Sequence, residues 1–256
     1  MRRTLNPTTG AGGGQGDPPV LDAIAAYDRI ASGYSEISRK RRAYLDAVDE
    51  EILRRMPVGA SSLIDVGAGD GRRGLRIAER AGIVRVVLVE PSTRMRELIP
   101  AGVEVRRARM ETLPDSPSEF DIVLCLWNVL GHVPSRELRV AGLRKLGGLC
   151  SRGGLIFLDV LNRYNVAECG IGVVLRRFMS PLQDGDVAVK WRTGAGEVKT
   201  QGHVFTGREM EGLFRDAELT LIERTVLNYC TGRPETQAMK GNFFYVLRGS
   251  ASEDCR

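Results

Sequence analysis

The run Ser62-Leu63-Ile64-Asp65-Val66-Gly67-Ala68-Gly69-Asp70-Gly71-Arg72 constrains this chain more than any other stretch. Its first five residues suit a buried strand, and the pattern from residue 74 to 81 suits a helix packed back on that strand. The three glycines between them let the backbone turn sharply and bring a ligand against the main chain. The amino terminus of the next helix then directs free N–H groups at that ligand. Strand, glycine turn and helix in this order predict a βα unit that binds at its carboxyl edge.

The alternation continues along the chain. Residues 85–89 are a predicted strand, 93–99 a helix, 103–105 a short strand, 121–126 a strand, 135–146 a helix and 154–160 a strand. Near-continuous Val, Ile and Leu in these strands fits a sheet buried on both faces, and the alternation implies parallel βαβ units. Right-handed crossovers place helices on both sides of it. The expected fold is α/β, doubly wound, with a mostly parallel sheet. Ahead of it, Leu21, Ile24 and Tyr27, then Tyr44, Leu45, Val48, Ile52 and Leu53, recur at helical spacing and predict amino-terminal helices over 21–57. Behind it, 187–192 and 198–205 predict a hairpin turned at Gly194 and Gly196, followed by a helix at 207–217 and strands at 219–226 and 243–247. The stretch 166–206, inserted after the fifth sheet strand, lies beyond the edge where open α/β sheets bind ligands. Residues 1–20, rich in Gly, Pro and Thr, are expected to be a disordered tail, leaving 21–256 as one domain.

Composition narrows the class. The chain has 256 residues, 43% hydrophobic and 27% charged, within the globular range. No apolar run approaches the ~18 residues of a spanning helix, and no apolar segment of signal-peptide length follows Arg2 and Arg3. The five cysteines (125, 150, 169, 230 and 255) are far apart and form no C-x-x-C pair, so neither a zinc site nor a disulfide framework is expected. A soluble cytoplasmic protein with no membrane partner is the expectation. The net charge of +5 has one local cluster, Arg39-Lys40-Arg41-Arg42. Such a cluster suits either nucleic acid or a solvated helix face; flanking Glu36 and Asp46 and the lack of interleaved aromatics favour the face.

Charge also selects the ligand of the glycine turn. Gly69-Asp70-Gly71-Arg72-Arg73-Gly74 formally matches the G-x-G-x-x-G of dinucleotide folds. Yet Asp65 and Asp70 border the turn, and two carboxylates repel a pyrophosphate. They suit a ligand with a cationic amine and a cationic sulfur, which S-adenosylmethionine (SAM) has along with a ribose and no phosphate. Glu90 ends the next strand, where a carboxylate accepts hydrogen bonds from a ribose diol.

These residues resemble the class I SAM-dependent methyltransferases. Asp65–Gly71 looks like their motif I, Val86–Pro91 (VVLVEP) their second-strand motif, and Glu111-Thr112-Leu113-Pro114 their E-x-L-P segment. Phe120-Asp121-Ile122-Val123-Leu124-Cys125 looks like their fourth strand, and Ser151-Arg152-Gly153-Gly154-Leu155-Ile156 like the turn into the fifth. The resemblance covers roughly residues 60–165. It implies a Rossmann-like, seven-stranded sheet whose last strand, 243–247, runs antiparallel. It also implies that Asp65 and the backbone of Gly67, Gly69 and Gly71 hold the methionine portion, that Glu90 binds the ribose, and that Met110 and Glu111 flank the adenine. Leu126–Asn128 would lie beneath the methionine end, and Tyr27 and Tyr34 would belong to an amino-terminal helix closing over the cofactor. Where the family often carries an acid for the adenine amine, this chain has Arg109.

For the chemistry, His132 follows strand four and has the intrinsic pKa of a general base, though the same residue can simply bond the loop it sits on. His203 reads as structural, and Cys125 as a small buried hydrophobe. No [DN]-P-P-[YF] follows strand four, and Asp159 and Asn162 are too loosely spaced for a metal pair. The polar stretch 159–165 and the aromatics Trp127, Tyr164, Trp191 and Phe205 are candidate walls of an acceptor pocket. The expected activity is SAM-dependent methylation of oxygen or nitrogen of a small organic metabolite. A tRNA or rRNA methyltransferase and a non-catalytic partner subunit with the same fold are the alternatives.

Overall fold

In the computed structural model, alternate residues of each central strand point to opposite faces, and each face buries its own apolar layer. Residues 19–115, 119–179, 185–193 and 196–249 are described. The expected tail therefore lies outside the described residues up to position 18, as do Gly194 and Cys255. In chain order the elements are β1 (Val20–Leu21), α1 (Ala23–Ile30), α2 (Tyr34–Arg39), α3 (Arg42–Arg54), β2 (Ser62–Val66), α4 (Arg72–Ala81) and β3 (Arg85–Val89). There follow α5 (Thr93–Arg96), β4 (Glu104–Arg106), β5 (Phe120–Cys125), α6 (Arg136–Leu149), β6 (Cys150–Val160), α7 (Val166–Cys169) and α8 (Ile171–Met179). The last are β7 (Asp186–Thr193), β8 (Gly196–His203), α9 (Gly207–Asp216), β9 (Leu219–Leu227) and β10 (Asn242–Gly249).

Seven strands form one sheet in the order β4-β3-β2-β5-β6-β10-β9. Strands β2 to β6 pair in parallel, whereas β10 is antiparallel to both β6 and β9. On one face Ile64, Val123, Ile156 and Tyr245 meet Leu143 and Leu146 of α6 and Leu213 and Phe214 of α9. On the other, Leu63, Ile122, Phe157 and Phe244 meet Tyr44, Val48 and Ile52 of α3 and Ile77 of α4. Full burial of such a side chain stabilises by ~1.5–3 kcal/mol, so both layers contribute heavily. The doubly wound, mostly parallel sheet is as expected.

Four local differences have physical reasons. β6 begins at Cys150, four residues earlier than expected, because Phe120 pairs with Cys150 before the register shifts at Ile122. The helix expected over 93–99 closes after Arg96, with Ser92 capping its start by accepting from the Met95 N–H. Val20, assigned to the tail, pairs with Lys199, and β1, β8 and β7 make a separate three-stranded sheet. The helices α7 and α8 were not foreseen, since Gly170 and Gly172 interrupt the apolar spacing there. Among the described residues no helix is long and apolar enough to cross a membrane.

Candidate functional site

The glycine turn leaves the carboxyl end of β2, the third strand in the order of the sheet and paired on both sides. Gly67, Gly69 and Gly71 have φ of +80°, +60° and +73°, a region that side chains rarely adopt. A Cβ on Gly67 would stand 2.5 Å from Val129, and one on Gly69 would stand 3.0 Å from the Tyr34 hydroxyl. The turn is tied to β3, since the N–H groups of Gly67 and Ala68 donate to the Val89 carbonyl. The Glu90 carboxylate accepts from the Gly69 N–H and the Ser92 N–H, each at 2.8 Å. Burial pushes Glu90 up to about 7 against those two bonds. Asp65 is buried at the end of β2 and is likewise raised to about 7 by burial, with Arg73 pulling the other way. Gly74 makes room for it, because a Cβ there would lie 2.6 Å from the Asp65 carboxylate.

Three cavities adjoin here, the first two lined by residues of the turn, and Tyr34 and Trp127 line all three. The first, about 390 Å³, holds Asp65, Gly67, Ala68, Asp70, Arg73 and Leu126. The second, about 90 Å³, gathers Tyr27, Gly67, Gly69, Glu90, Met110, Glu111, Leu126 and His132. The third, about 770 Å³, lies under the β7–β8 hairpin and is bounded by Tyr27, Asn128, His132, Trp191 and Tyr229. Tyr27 and His132 thus stand, with Tyr34 and Trp127, between the second and third. The Tyr27 hydroxyl is 3.3 Å from His132 Nε2, and the rings meet edge-on with centroids 5.4 Å apart. Burial raises the Tyr27 hydroxyl well above its ordinary value, so it stays protonated. Burial lowers His132, with the Gln201 main chain opposing, so the imidazole is neutral at pH 7.

The loop after β5 carries the tightest backbone. Trp127 and Asn128 are consecutive non-glycine residues with φ of 60° and 62°. Asp159, at the end of β6, holds them by accepting from the Trp127 N–H at 2.6 Å, and also accepts from the Tyr44 hydroxyl at 2.7 Å. The Trp127 indole donates to Tyr229 at 3.1 Å.

Most residues singled out in the sequence thus converge, and some do not. Gly71 shapes the start of α4 but faces Leu88, away from the cavities. Asn128 borders the large cavity under the hairpin rather than the recess around Asp65; it donates to the His203 carbonyl and accepts from the Leu161 N–H. Phe205 is core, fully buried, and Tyr164 stacks on Phe178 with centroids 4.3 Å apart. The 159–165 stretch is mostly an anchored loop: Asn162 donates to the Ala238 and Gly241 carbonyls and Asn165 to Asn242. His203 sits between Asp186 at 2.6 Å and Glu209 at 2.8 Å, joining the hairpin to α9. Arg73 and Tyr229 were not singled out. Arg73 falls at a variable position of the glycine motif, and Tyr229 lies far along the chain from every motif.

The fit to SAM can be judged from the cradle itself. Positive-φ glycines open it, the Glu90 carboxylate faces the second cavity, and the acidic Asp65 and Asp70 line the first. Arg72 and Arg73 stand beside these acids, so the first cavity offers partners to a zwitterion such as the amino-acid end of SAM, and Glu90 offers its carboxylate to a ribose diol. A family model described as a methyltransferase domain matches residues 35–224. No curated protein matches the sequence. Among solved structures, the chain is similar to the CcbJ methyltransferase of Streptomyces caelestis, with 17% identity over 90% of this chain and 100% of that one and a TM-score of 0.67. It is similar to SAM-bound CalS10, an amino pentose methyltransferase of Micromonospora echinaspora, at 19% identity, 86% and 96% coverage and a TM-score of 0.56. The sugar N-methyltransferase KedS8 of Streptoalloteichus sp. aligns at 18% identity, 97% and 100% coverage and a TM-score of 0.56. Sheet order, glycine turn and a family match over most of its length agree: the chain belongs to this methyltransferase family and is a class I SAM-dependent methyltransferase.

Proposed function

We propose that this enzyme methylates a small organic acceptor at nitrogen or oxygen, an amine being favoured, with the acceptor held in the cavity under the hairpin. The reading rests on the Tyr27–His132 pair, which stands between the cavity that carries Glu90 and the one that carries Trp191. When bound, SAM supplies a methyl carbon already activated by its positive sulfur. The chain's own residues then have to bind, align and move a proton. Glu90 would accept from the ribose, with Met110 and Glu111 beside the adenine and Asp65, Gly67, Gly69 and Leu126 around the methionine end. Neutral His132 would take the proton of an acceptor that bonds to Nε2 or to the Tyr27 oxygen. That base is lost when the pH falls through its depressed pKa.

The aromatic wall of Tyr27, Tyr34, Trp127 and Trp191 favours an amine, because ring faces attract a cation. The amino pentose and sugar N-methyltransferase structures support the same reading. The helices over 21–57 and the insertion over 166–206 would act as the cover that excludes water. RNA is the less favoured acceptor. The basic cluster is partly answered by its own acids, Lys40 by Glu36 at 3.1 Å and Arg42 by Asp46 at 3.3 Å. Following labelled methyl groups from SAM into pools of small amines, alcohols and RNA tests the reading. Label in small amines, insensitive to salt, is expected; label in RNA that falls away with salt would overturn it.

A further inference from the structure

The recess beside the glycine turn contains an unexplained cation. Arg73, the second residue of α4, donates through Nε to Asp49 at 2.7 Å and through Nη2 to the Leu45 carbonyl at 3.4 Å. Its third arm, Nη1, is buried and has no hydrogen-bond partner among the described residues. A buried guanidinium arm left unbonded is costly, so a partner is to be expected from whatever enters the recess. Arg73 lines that recess together with Asp65, Gly67, Leu126 and Trp127. The arginines around it are differently engaged: Arg42 with Asp46 at 3.3 Å, Arg72 with Asp70 at 3.6 Å, and Arg76 with Asp46 at 3.5 Å and with Asp49.

We infer that Arg73 anchors the α-carboxylate of the methionine end of SAM, with Asp65 on the side of its α-amine. This rests on the placement of SAM at the glycine turn. The methionine end is a zwitterion, and the recess carries both charges: Asp46, Asp65 and Asp70 line it beside five arginines, of which Arg73, paired with Asp49 rather than with Asp65, is the one with a buried arm left without a partner among the described residues. A guanidinium offers a planar set of donors, two of which hold Asp49 and Leu45 and orient the third. In this arrangement Arg73 discriminates for the carboxylate of the cofactor, and Asp65 is left to its amine and sulfonium.

The test compares SAM with decarboxylated SAM, which keeps the amine and sulfonium, by calorimetry. The protein is taken as wild type, as Asp49→Asn, and as Arg73→Met in the Asp49→Asn background so that no buried carboxylate is left unanswered. Loss of the arginine should weaken SAM by about 10- to 100-fold, as for one charge-assisted hydrogen bond, and leave decarboxylated SAM unchanged. Should the double variant not fold, Arg73→Lys keeps a cation for Asp49 but withdraws the third arm, and must show the same selective loss. Equal losses for both ligands, or none for SAM, would overturn the assignment while leaving SAM at the turn. Wild-type protein that bound neither ligand would overturn the placement itself, and this assignment with it.

Discussion

On the sheet side of the cavities, the glycine turn is held by main-chain bonds to Val89 and by Glu90, and it rests on strands buried on both faces. On the opposite side, β1, α1 and the β7–β8 hairpin enclose only a small cluster of Ala26, Ile30 and Val198, with Tyr27, Tyr34 and Trp191 packed against it. The first region presents backbone, acids, Arg73 and, on the loop after β5, Trp127 and His132 to a ligand; the second presents the rings of Tyr27, Tyr34 and Trp191. A segment with so little buried apolar surface opens more easily than a central strand. On the proposed reading, cofactor binding would depend on the backbone geometry of the turn and the charges beside it, whereas acceptor choice would depend on side chains of the covering segments that can change without disturbing the sheet.

Substitutions can break or sharpen that contrast. Gly69→Val has the largest expected effect, since it forces a branched side chain onto φ +60° and against Tyr34. SAM binding should vanish in calorimetry, and retained affinity would contradict a backbone-held cofactor. His132→Gln should lower kcat by about 10²-fold or more with the SAM dissociation constant unchanged. A variant with full kcat would reduce His132 to a loop bond.

Glu90→Ala should weaken SAM by ~1–3 kcal/mol, a lost charge-assisted bond. The same interaction has a pH signature. Asp65 and Glu90 are both raised to about 7, so between pH 8 and pH 6 they take up protons and lose their attraction for a cationic ligand. Affinity for SAM should fall over that interval, and a flat profile would remove the two carboxylates from the account. In the unliganded protein the sign is opposite: acids raised on folding make the fold less stable as pH climbs from about 4 to 7. SAM should therefore raise the melting temperature more at pH 8 than at pH 6. Smallest of the set, Trp191→Ala should raise the acceptor KM by roughly tenfold, the scale of a lost cation–π contact, and leave SAM binding intact.

How far the sequence led follows the same division. Strands 62–66 and 85–89 and the glycine turn were legible because period, β-branched residues and positive-φ glycines are local signals. The antiparallel last strand came from resemblance, since no local pattern states its direction. The pairing of Tyr27 with His132, 105 residues apart, left no trace in spacing. Nor did the β1–β8 contact that ties α1 to the hairpin, because a two-residue strand is too short for periodicity. Asp159 and Asn162 looked like candidates for a pocket wall because both are polar and lie past a strand. In the fold they serve buried main-chain groups instead, a role that only tertiary context reveals.

The chain has two tryptophans, one on each side of the cavities. Trp127 lines the recess of Asp65 and the cavity of Glu90, whereas Trp191 borders only the cavity under the hairpin among those described. Fluorescence titration of SAM into Trp191→Phe and Trp127→Phe proteins separates them. The two-sided account predicts that SAM changes the emission of Trp127 and leaves that of Trp191 until an acceptor is added; a SAM response confined to Trp191 would contradict it.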